Sequence, residues 1–164
     1  MSTSLFVLVL VHVAISLVGI ATGFVWMAGL LHRRDSRAWT NAFLVATILT
    51  SATGFLFPIV KITPGIVFGV VSLLVLAVAV HARSVRHLEG RWHTAFIVTG
   101  LLAQYLNVFV LVVQSFQKIP VLHALAPTQS ELPFAVTQLA VLVGFLVAGV
   151  LSVKRSHPVV LVTA

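Results

Sequence analysis

The stretch of chain that decides the fold runs from His93 to Phe116 and reads HTAFIVTGLLAQYLNVFVLVVQSF. It contains no Asp, Glu, Lys or Arg. A helix needs about 20 consecutive, mostly apolar residues to cross the hydrocarbon core of a bilayer. This stretch meets that requirement, so it predicts a membrane-spanning helix.

Four further stretches of the same kind occur along the chain. The five predicted spans cover about 5–31, 41–60, 65–82, 93–116 and 134–153. Hydrophobic residues make up 60% of the chain and charged residues only 8%, whereas soluble domains carry roughly 25% charged residues. The sequence therefore predicts an all-α fold, a polytopic membrane helix bundle with five transmembrane helices that forms one domain over residues 1–164. The first apolar run is too long for the core of a signal peptide, so we expect it to be retained as a span.

Basic residues are distributed unevenly between the two sides of the predicted bundle. One side carries Arg33, Arg34, Arg37, Arg83, Arg86, Arg91, Lys154 and Arg155, and the other carries only Lys61 and Lys118. Loops rich in Lys and Arg stay in the cytoplasm, and Trp concentrates at membrane interfaces. Trp26, Trp39 and Trp92 fall near the basic side. We therefore expect the N-terminus outside and the C-terminus in the cytoplasm.

The formal net charge of +7 does not indicate nucleic-acid binding. Nearly all of the basic residues lie in short loops between apolar runs, where they act as orientation signals. A nucleic-acid interface needs them gathered on one surface. We therefore expect no nucleic-acid partner.

Neutral polar residues recur on one face of the fourth span. His93, Gly100, Asn107 and Gln114 follow one another at seven-residue spacing, which is nearly two helical turns, and Gln104 lies on the same face. Similar polar faces occur in the first two spans. They comprise His12, Ser16, Gly19 and Gly23 in the first span and Thr40, Thr47, Ser51, Gly54 and Pro58 in the second.

The depth of these residues predicts a candidate site. A rise of about 1.5 Å per residue places His12 roughly 12 Å, and Ser51 and Asn107 about 13 Å, from the outer ends of their spans. We therefore predict a polar cluster at one level of the outer leaflet that binds a lipid- or quinone-like ligand. Its predicted ligand-binding residues are His12, Ser51, Gln104, Asn107 and Gln114. The alternative is that the same residues only join helices by hydrogen bonds, as polar residues in membranes often do.

The connection between the fourth and fifth spans, residues 117–133, is the longest loop and is rich in proline. Its leucines, Leu122, Leu125 and Leu132, make it too apolar for a solvated tether. Long structured loops often act as lids or partner surfaces. We expect this external loop either to fold over the outer mouth of the bundle or to rest among the lipid headgroups.

Histidines on the basic side permit an alternative function. His81, His93 and His32 lie at three helix ends, and two imidazoles from different helices can hold a haem. This alternative is a haem b electron-transfer protein. The chain has no cysteine, so thiolate chemistry is excluded, and we expect no metal site. The leading expectation is that there is no cofactor.

Catalytic residues are scarce. The chain has three acids, Asp35, Glu89 and Glu131, and no Gly-x-Ser-x-Gly or His-Glu-x-x-His motif. No Asp, Glu, Lys or Arg lies within a predicted span, whereas ion-driven transporters usually keep such residues inside the bundle. The sequence therefore argues against an enzyme and against ion-coupled transport.

Three segments carry a family resemblance. They are Thr53–Pro58 (TGFLFP), Tyr105–Val110 (YLNVFV) and Leu125–Glu131 (LAPTQSE). The chain resembles, over about Val11 to Arg155, an uncharacterised family of small multi-pass inner-membrane proteins of proteobacteria. The resemblance implies a bacterial inner membrane and no particular activity. Relatives often place an acid and a histidine between spans two and three, where this chain has Val60 and Ile66, so it implies no metal or proton role at that turn.

The function predicted from the sequence is that of a non-catalytic integral membrane protein. It either binds a lipid- or quinone-like apolar ligand or acts as an accessory subunit of a larger membrane complex. A haem b protein is the first alternative, and a small oligomeric channel or carrier, built on the glycine-rich faces, is the second. The expected partners are membrane lipid, a quinone, a larger complex or a second copy of the chain.

Overall fold

The computed structural model describes residues 2–34, 36–58 and 64–155. These residues form helices and no strand, which confirms the predicted all-α class. The helices, in chain order, are α1 (Thr3–Leu31), α2 (Arg37–Gly54), α3 (Pro64–Ser84), α4 (Arg91–Lys118), α5 (Pro120–Leu125) and α6 (Leu132–Arg155).

Four of these helices are long and apolar enough to cross a membrane. They are α1, α3 (from Gly65), α4 and α6. α2, with 18 residues, is not among them. It begins with Arg37 and contains Asn41 as well as several hydroxyl side chains, which lower its hydropathy. The chain is thus a membrane-embedded helical protein with four helices that meet the requirement by themselves.

The end of α2 differs from the prediction, which carried the second span to residue 60. α2 ends at Gly54, where the Phe55 N–H donates to Ala52 O at 3.2 Å and the Leu56 N–H to Thr53 O at 3.1 Å. Such short-range bonds tighten the last turn of a helix. Pro58 then disfavours helical backbone at the residue before it. Residues 55–57 of the predicted span therefore form a turn rather than a helix, and residues 59–60 lie outside the described residues.

Serines occupy the N-cap positions of the first two helices. Ser2 caps α1, with its hydroxyl accepting the N–H of Leu5 at 3.3 Å. Ser36 occupies the N-cap position of α2, but its side chain makes no capping hydrogen bond. Other features discussed from the sequence, namely Asp35, Val60 and Lys61, lie outside the described residues.

α4 is the central helix of the bundle, because it contacts every other helix. α1 packs against α2, α3 against α4, and α6 against α4 and α1. The core lies in one half of the bundle, where Trp26 of α1 stacks on Phe43 of α2 with ring centroids 4.9 Å apart. Phe96 of α4 closes this layer edge-on, 5.8 Å from Trp26.

The core layer lies towards the end of the bundle that carries most of the basic residues, which we call the basic end (residues 28–39, 83–93 and 154–155). Two contacts tie its segments together. Arg155, the last residue of α6, donates to the carbonyl of Leu31 at 2.6 Å, and His81 of α3 packs against Trp92 of α4 at 5.1 Å. α1, α3 and α6 therefore end where α2 and α4 begin.

Candidate functional site

The side chain of His12 bridges α1 and α2 near the end of the bundle opposite the basic end. Its Nδ1 lies 2.8 Å from the Thr53 hydroxyl oxygen. The Thr53 hydroxyl proton is directed to the backbone carbonyls of Leu49, at 2.8 Å, and Thr50, at 3.1 Å. Because carbonyl oxygens only accept, Thr53 must accept from His12. Nδ1 therefore carries the proton of the imidazole.

This contact fixes the chemistry of the other ring nitrogen. A neutral imidazole with its proton on Nδ1 presents Nε2 as a hydrogen-bond acceptor. His12 is half-buried, and its Nε2 makes no hydrogen bond to any residue in the described part of the chain. The ring also packs edge-on against Phe57 at 5.2 Å. The result is one oriented acceptor beside an aromatic ring, at the contact between α1 and α2.

Gln104 lies deeper in the bundle and is fully buried between α4 and α1. Its Nε2 donates to the carbonyl of Ile20 at 2.8 Å, and its Oε1 has no hydrogen-bond partner. Gly23 makes room for this amide, because a Cβ added to Gly23 would lie 2.1 Å from Oε1. Gln104 therefore fills the interface between two helices.

Asn107 makes the corresponding contact with α2. Its Nδ2 donates to the hydroxyl of Thr47 at 3.2 Å. Thr47 is fully buried and lies against Gly19, whose added Cβ would be 3.4 Å from the Thr47 hydroxyl. Ser51, one turn further along α2, is buried as well, with 7% of its surface exposed. Together these contacts join α1, α2 and α4 along one polar seam.

The predicted residues lie at successive levels of the bundle and not at one level. Asn107 meets Thr47, whereas His12 meets Thr53, which is six residues or about 9 Å further along α2. The expected single cluster was counted from helix ends, and the true end of α2 at Gly54 shifts that count. Seven residues beyond Asn107, α4 reaches the level where α2 ends, and Gln114 there is exposed.

The loop of residues 117–133 folds back on α4. Gln129 donates through Nε2 to the carbonyl of Val113 at 2.8 Å, and Phe116 packs edge-on against Phe134 of α6 at 5.4 Å. The short helix α5 was not predicted from the sequence. It begins at Pro120, a position where the backbone N–H has no partner within the helix, so proline loses no hydrogen bond there. Leu125 and Leu132 are exposed, which favours a segment lying in the membrane interface.

Glu131 closes the turn before α6. Its carboxylate accepts the Thr128 hydroxyl at 2.8 Å, the Thr128 N–H at 3.1 Å and the Ser130 N–H at 3.1 Å. Desolvation raises the pKa of Glu131, but the hydrogen bonds from Thr128 and Ser130 outweigh it, so the pKa lies below the ordinary glutamate value. A lowered pKa means that the carboxylate stabilises this turn at neutral pH and loses that effect only as the pH falls through the lowered pKa.

We expect the amide proton shifts of Thr128 and Ser130 to titrate together, with a midpoint below the ordinary pKa of a glutamate. NMR spectra of the detergent-solubilised protein recorded between neutral and strongly acidic pH measure this midpoint. Glu131→Gln should remove the titration from both amides, and Glu89→Gln should leave it unchanged. A midpoint at or above the ordinary glutamate value would contradict the hydrogen-bonded turn.

The three histidines proposed for a haem lie apart from the polar seam. His32 is exposed, and its Nδ1 lies 2.8 Å from the carbonyl of Ala28 in its own helix. His81 is exposed against Trp92, and His93 is half-buried in the first turn of α4. Over residues 2–34, 36–58 and 64–155, no three His, Asp or Glu side chains come together as a metal-binding group.

Two residues at the site were not predicted from the sequence. Thr53 is the partner of His12, although it lies off the seven-residue face of α2 that we singled out. Phe57 supplies the aromatic ring from the turn that replaces the last part of the predicted span. The sequence did contain one indication of such a partner. His12 is a polar residue within an apolar helix, and such a residue is expected to form a hydrogen bond with a neighbouring helix.

Comparisons with known proteins add no further residue roles. No protein-family model, curated protein or solved structure matches this chain.

Proposed function

We propose that this chain is a non-catalytic protein of the bacterial inner membrane that binds an apolar ligand carrying a hydroxyl group, such as a quinol or a lipid alcohol, at His12. The observation that carries the proposal is the direction of the His12–Thr53 hydrogen bond. It leaves Nε2 as an oriented acceptor without a partner among the described residues. A hydroxyl donor is the chemical group that this acceptor requires.

The remaining residues of the predicted site have a different role in this proposal. Gln104 and Asn107 use their amide N–H groups to join helices, so in this proposal they hold α1, α2 and α4 together and do not recognise the ligand. Phe57 stacks against an apolar ring or chain, and Gly54 leaves space beside the imidazole, since its added Cβ would lie 3.7 Å from His12 Cε1.

The proposed topology has five spans, with the N-terminus outside and the C-terminus in the cytoplasm. The C-terminal ends of α1 and α3 both lie at the basic end, so α3 begins at the opposite end of the bundle. In this topology the segment that joins α1 to α3 crosses from one end of the bundle to the other. α2 provides about 27 Å of that crossing, close to the roughly 30 Å of the hydrocarbon core. Phe55, just after α2, packs against Gly69 near the start of α3. The excess of Lys and Arg at the basic end supports its cytoplasmic location.

The test compares two substitutions of His12. In His12→Asn, the side-chain N–H₂ can still donate to Thr53, but the acceptor at the position of Nε2 is gone. We expect His12→Asn to lower the amount of copurifying hydroxyl-bearing lipid or quinol roughly tenfold, in line with the loss of about 1–2 kcal/mol from one buried hydrogen bond. Solvent extraction of the detergent-purified protein, followed by mass spectrometry of the extract, measures that amount.

His12→Leu serves as the matched comparison because it removes both nitrogens. It should lose the ligand to the same extent and should also lower the thermal stability, since Thr53 loses its donor, whereas His12→Asn should keep the stability of the wild type. If His12→Asn retains the wild-type complement of copurifying molecules, the proposed role of Nε2 is wrong.

A further inference from the structure

A surface concavity lies at the basic end, between the end of α1 and the start of α2. Its volume is about 470 Å³. The polar and aromatic residues that line it are Trp26, His32, Arg34, Ser36 and Trp39. It lies at the opposite end of the bundle from His12, so it is a separate feature from the site described above.

The wall of this concavity is a turn held by backbone hydrogen bonds. Arg34 N–H donates back to Gly29 O at 2.8 Å and Arg33 N–H to Leu30 O at 3.4 Å. This is the Schellman pattern that terminates helices. Arg33 takes the left-handed position, with φ 55°, that glycine usually occupies. Gly29 is required, because an added Cβ would lie 2.8 Å from the carbonyl oxygen of Arg34.

Arg34 and Ser36, at the end of the turn, both line the concavity, and the Ser36 side chain makes no capping bond to α2. His32 lines it as well, but its Nδ1–H donates to Ala28 O, since a carbonyl only accepts, so this donor is not available to a ligand. Trp26, which is 2% exposed, forms part of the lining from the core side.

The surroundings of the concavity match those of a lipid headgroup. Trp39 is exposed beside it, and indole side chains favour the headgroup level. Val25 of α1 forms part of the lining and continues into an exposed apolar face with Phe24 and Val18, along which an acyl chain can lie. Basic pockets between helix ends on the cytoplasmic side suit anionic headgroups.

We propose that this basic concavity binds the phosphate of an anionic phospholipid, with Arg34 and Ser36 holding the phosphate oxygens. Guanidinium groups bind phosphate through two parallel hydrogen bonds. The ligand is a phosphate-bearing lipid and not a free anion, because the concavity opens beside an apolar helix face rather than being enclosed by polar groups.

A second concavity at the same end supplies the matched control. It has a volume of about 340 Å³ and is lined by Arg86, His87, Glu89 and Trp92, among others. The Arg86 guanidinium lies over the Trp92 ring at 5.1 Å, and Glu89 places a carboxylate in the lining. Arg86 is already engaged by the indole, so its guanidinium is less available to a phosphate. Arg86→Gln therefore changes the net charge as Arg34→Gln does, but outside the proposed site.

The test is native mass spectrometry of the full chain in mild detergent, titrated with phosphatidylglycerol or with phosphatidylcholine. We expect one phosphatidylglycerol to be retained per chain and phosphatidylcholine to be retained at least tenfold less. Arg34→Gln should weaken phosphatidylglycerol binding roughly tenfold, as expected for one lost charge-assisted contact. Arg34→Lys should recover part of this loss, and Arg86→Gln should stay within about twofold of the wild type.

Three results would overturn the proposal. Equal retention of the two lipids would show that charge does not select the ligand. An equal effect of Arg34→Gln and Arg86→Gln would show that only the net charge matters. Displacement of phosphatidylglycerol by millimolar inorganic phosphate, together with stabilisation by phosphate alone, would assign the concavity to a free anion. Because the turn is held by backbone bonds, we expect Arg34→Gln to melt at the wild-type temperature.

Discussion

Gly100→Ala will destabilise the bundle by about 1–3 kcal/mol, the usual effect of overpacking a filled core. A Cβ on Gly100 would lie 2.5 Å from Cη2 of Trp26 and 3.1 Å from its Cζ2. The indole cannot move aside, because it is stacked on Phe43 at 4.9 Å and met edge-on by Phe96 at 5.8 Å. The added methyl group must therefore separate α4 from α1.

Gly144→Ala provides the control for this prediction. Gly144 also lies within a long apolar helix, but an added Cβ would have no atom within 4 Å. Alanine should therefore be neutral or should stabilise the protein by up to about 1 kcal/mol, the difference in helix propensity. Unfolding of both variants by SDS titration from mild detergent measures the free energies. Equal stabilities would mean that Gly100 and Trp26 are not in close contact.

Gly23→Ala is the second substitution with a large expected effect. An added Cβ would lie 2.1 Å from Oε1, 2.3 Å from Cδ and 2.7 Å from Nε2 of Gln104. Gln104 is fully buried and bonded to Ile20 O, so its amide has no free space to enter. We expect a loss of about 1–3 kcal/mol, and the loss of the Gln104–Ile20 bond as well.

A double-mutant cycle tests the cause of this loss. Gln104→Ala alone leaves a cavity and removes one interhelical hydrogen bond, so it should destabilise the protein. In the double variant Gly23→Ala/Gln104→Ala, the new methyl group enters the space that the amide leaves. The double variant should therefore be more stable than the sum of the single effects, by about 0.5–3 kcal/mol. Strict additivity would contradict the contact.

The extent of the long helices could be predicted closely from the sequence. α1, α3, α4 and α6 each exceed the predicted span by no more than two residues at either end. The reason is that apolar runs mark the hydrocarbon thickness, while helical hydrogen bonding continues for a turn into the interface. α2 was harder because its outer end has apolar side chains but a turn backbone, which Pro58 makes favourable.

The residues of the polar seam could be predicted better than their partners. The seven-residue spacing placed Gly100, Gln104 and Asn107 on one face of α4, and all three contact α1 or α2. The partner of His12 could not be predicted, because the level of one helix against another depends on side-chain packing that periodicity does not contain. Counting from helix ends placed His12 level with Asn107, whereas their partners Thr53 and Thr47 lie six residues, or about 9 Å, apart along α2.

The composition of α2 has a consequence for how the protein is made. α2 buries Thr40, Thr47 and Ser51 against its neighbours, and among the long helices of the described residues it alone falls short of the apolar character of the four candidate spans. During synthesis at the translocon, an isolated α2 would leave these hydroxyl groups facing lipid. α1, which emerges first, already carries the glycine face against which Thr47 packs. We therefore expect α1 and α2 to enter the membrane together as a helical hairpin. The hydrogen bond from Asn107 to Thr47 can form only after α4 has been synthesised.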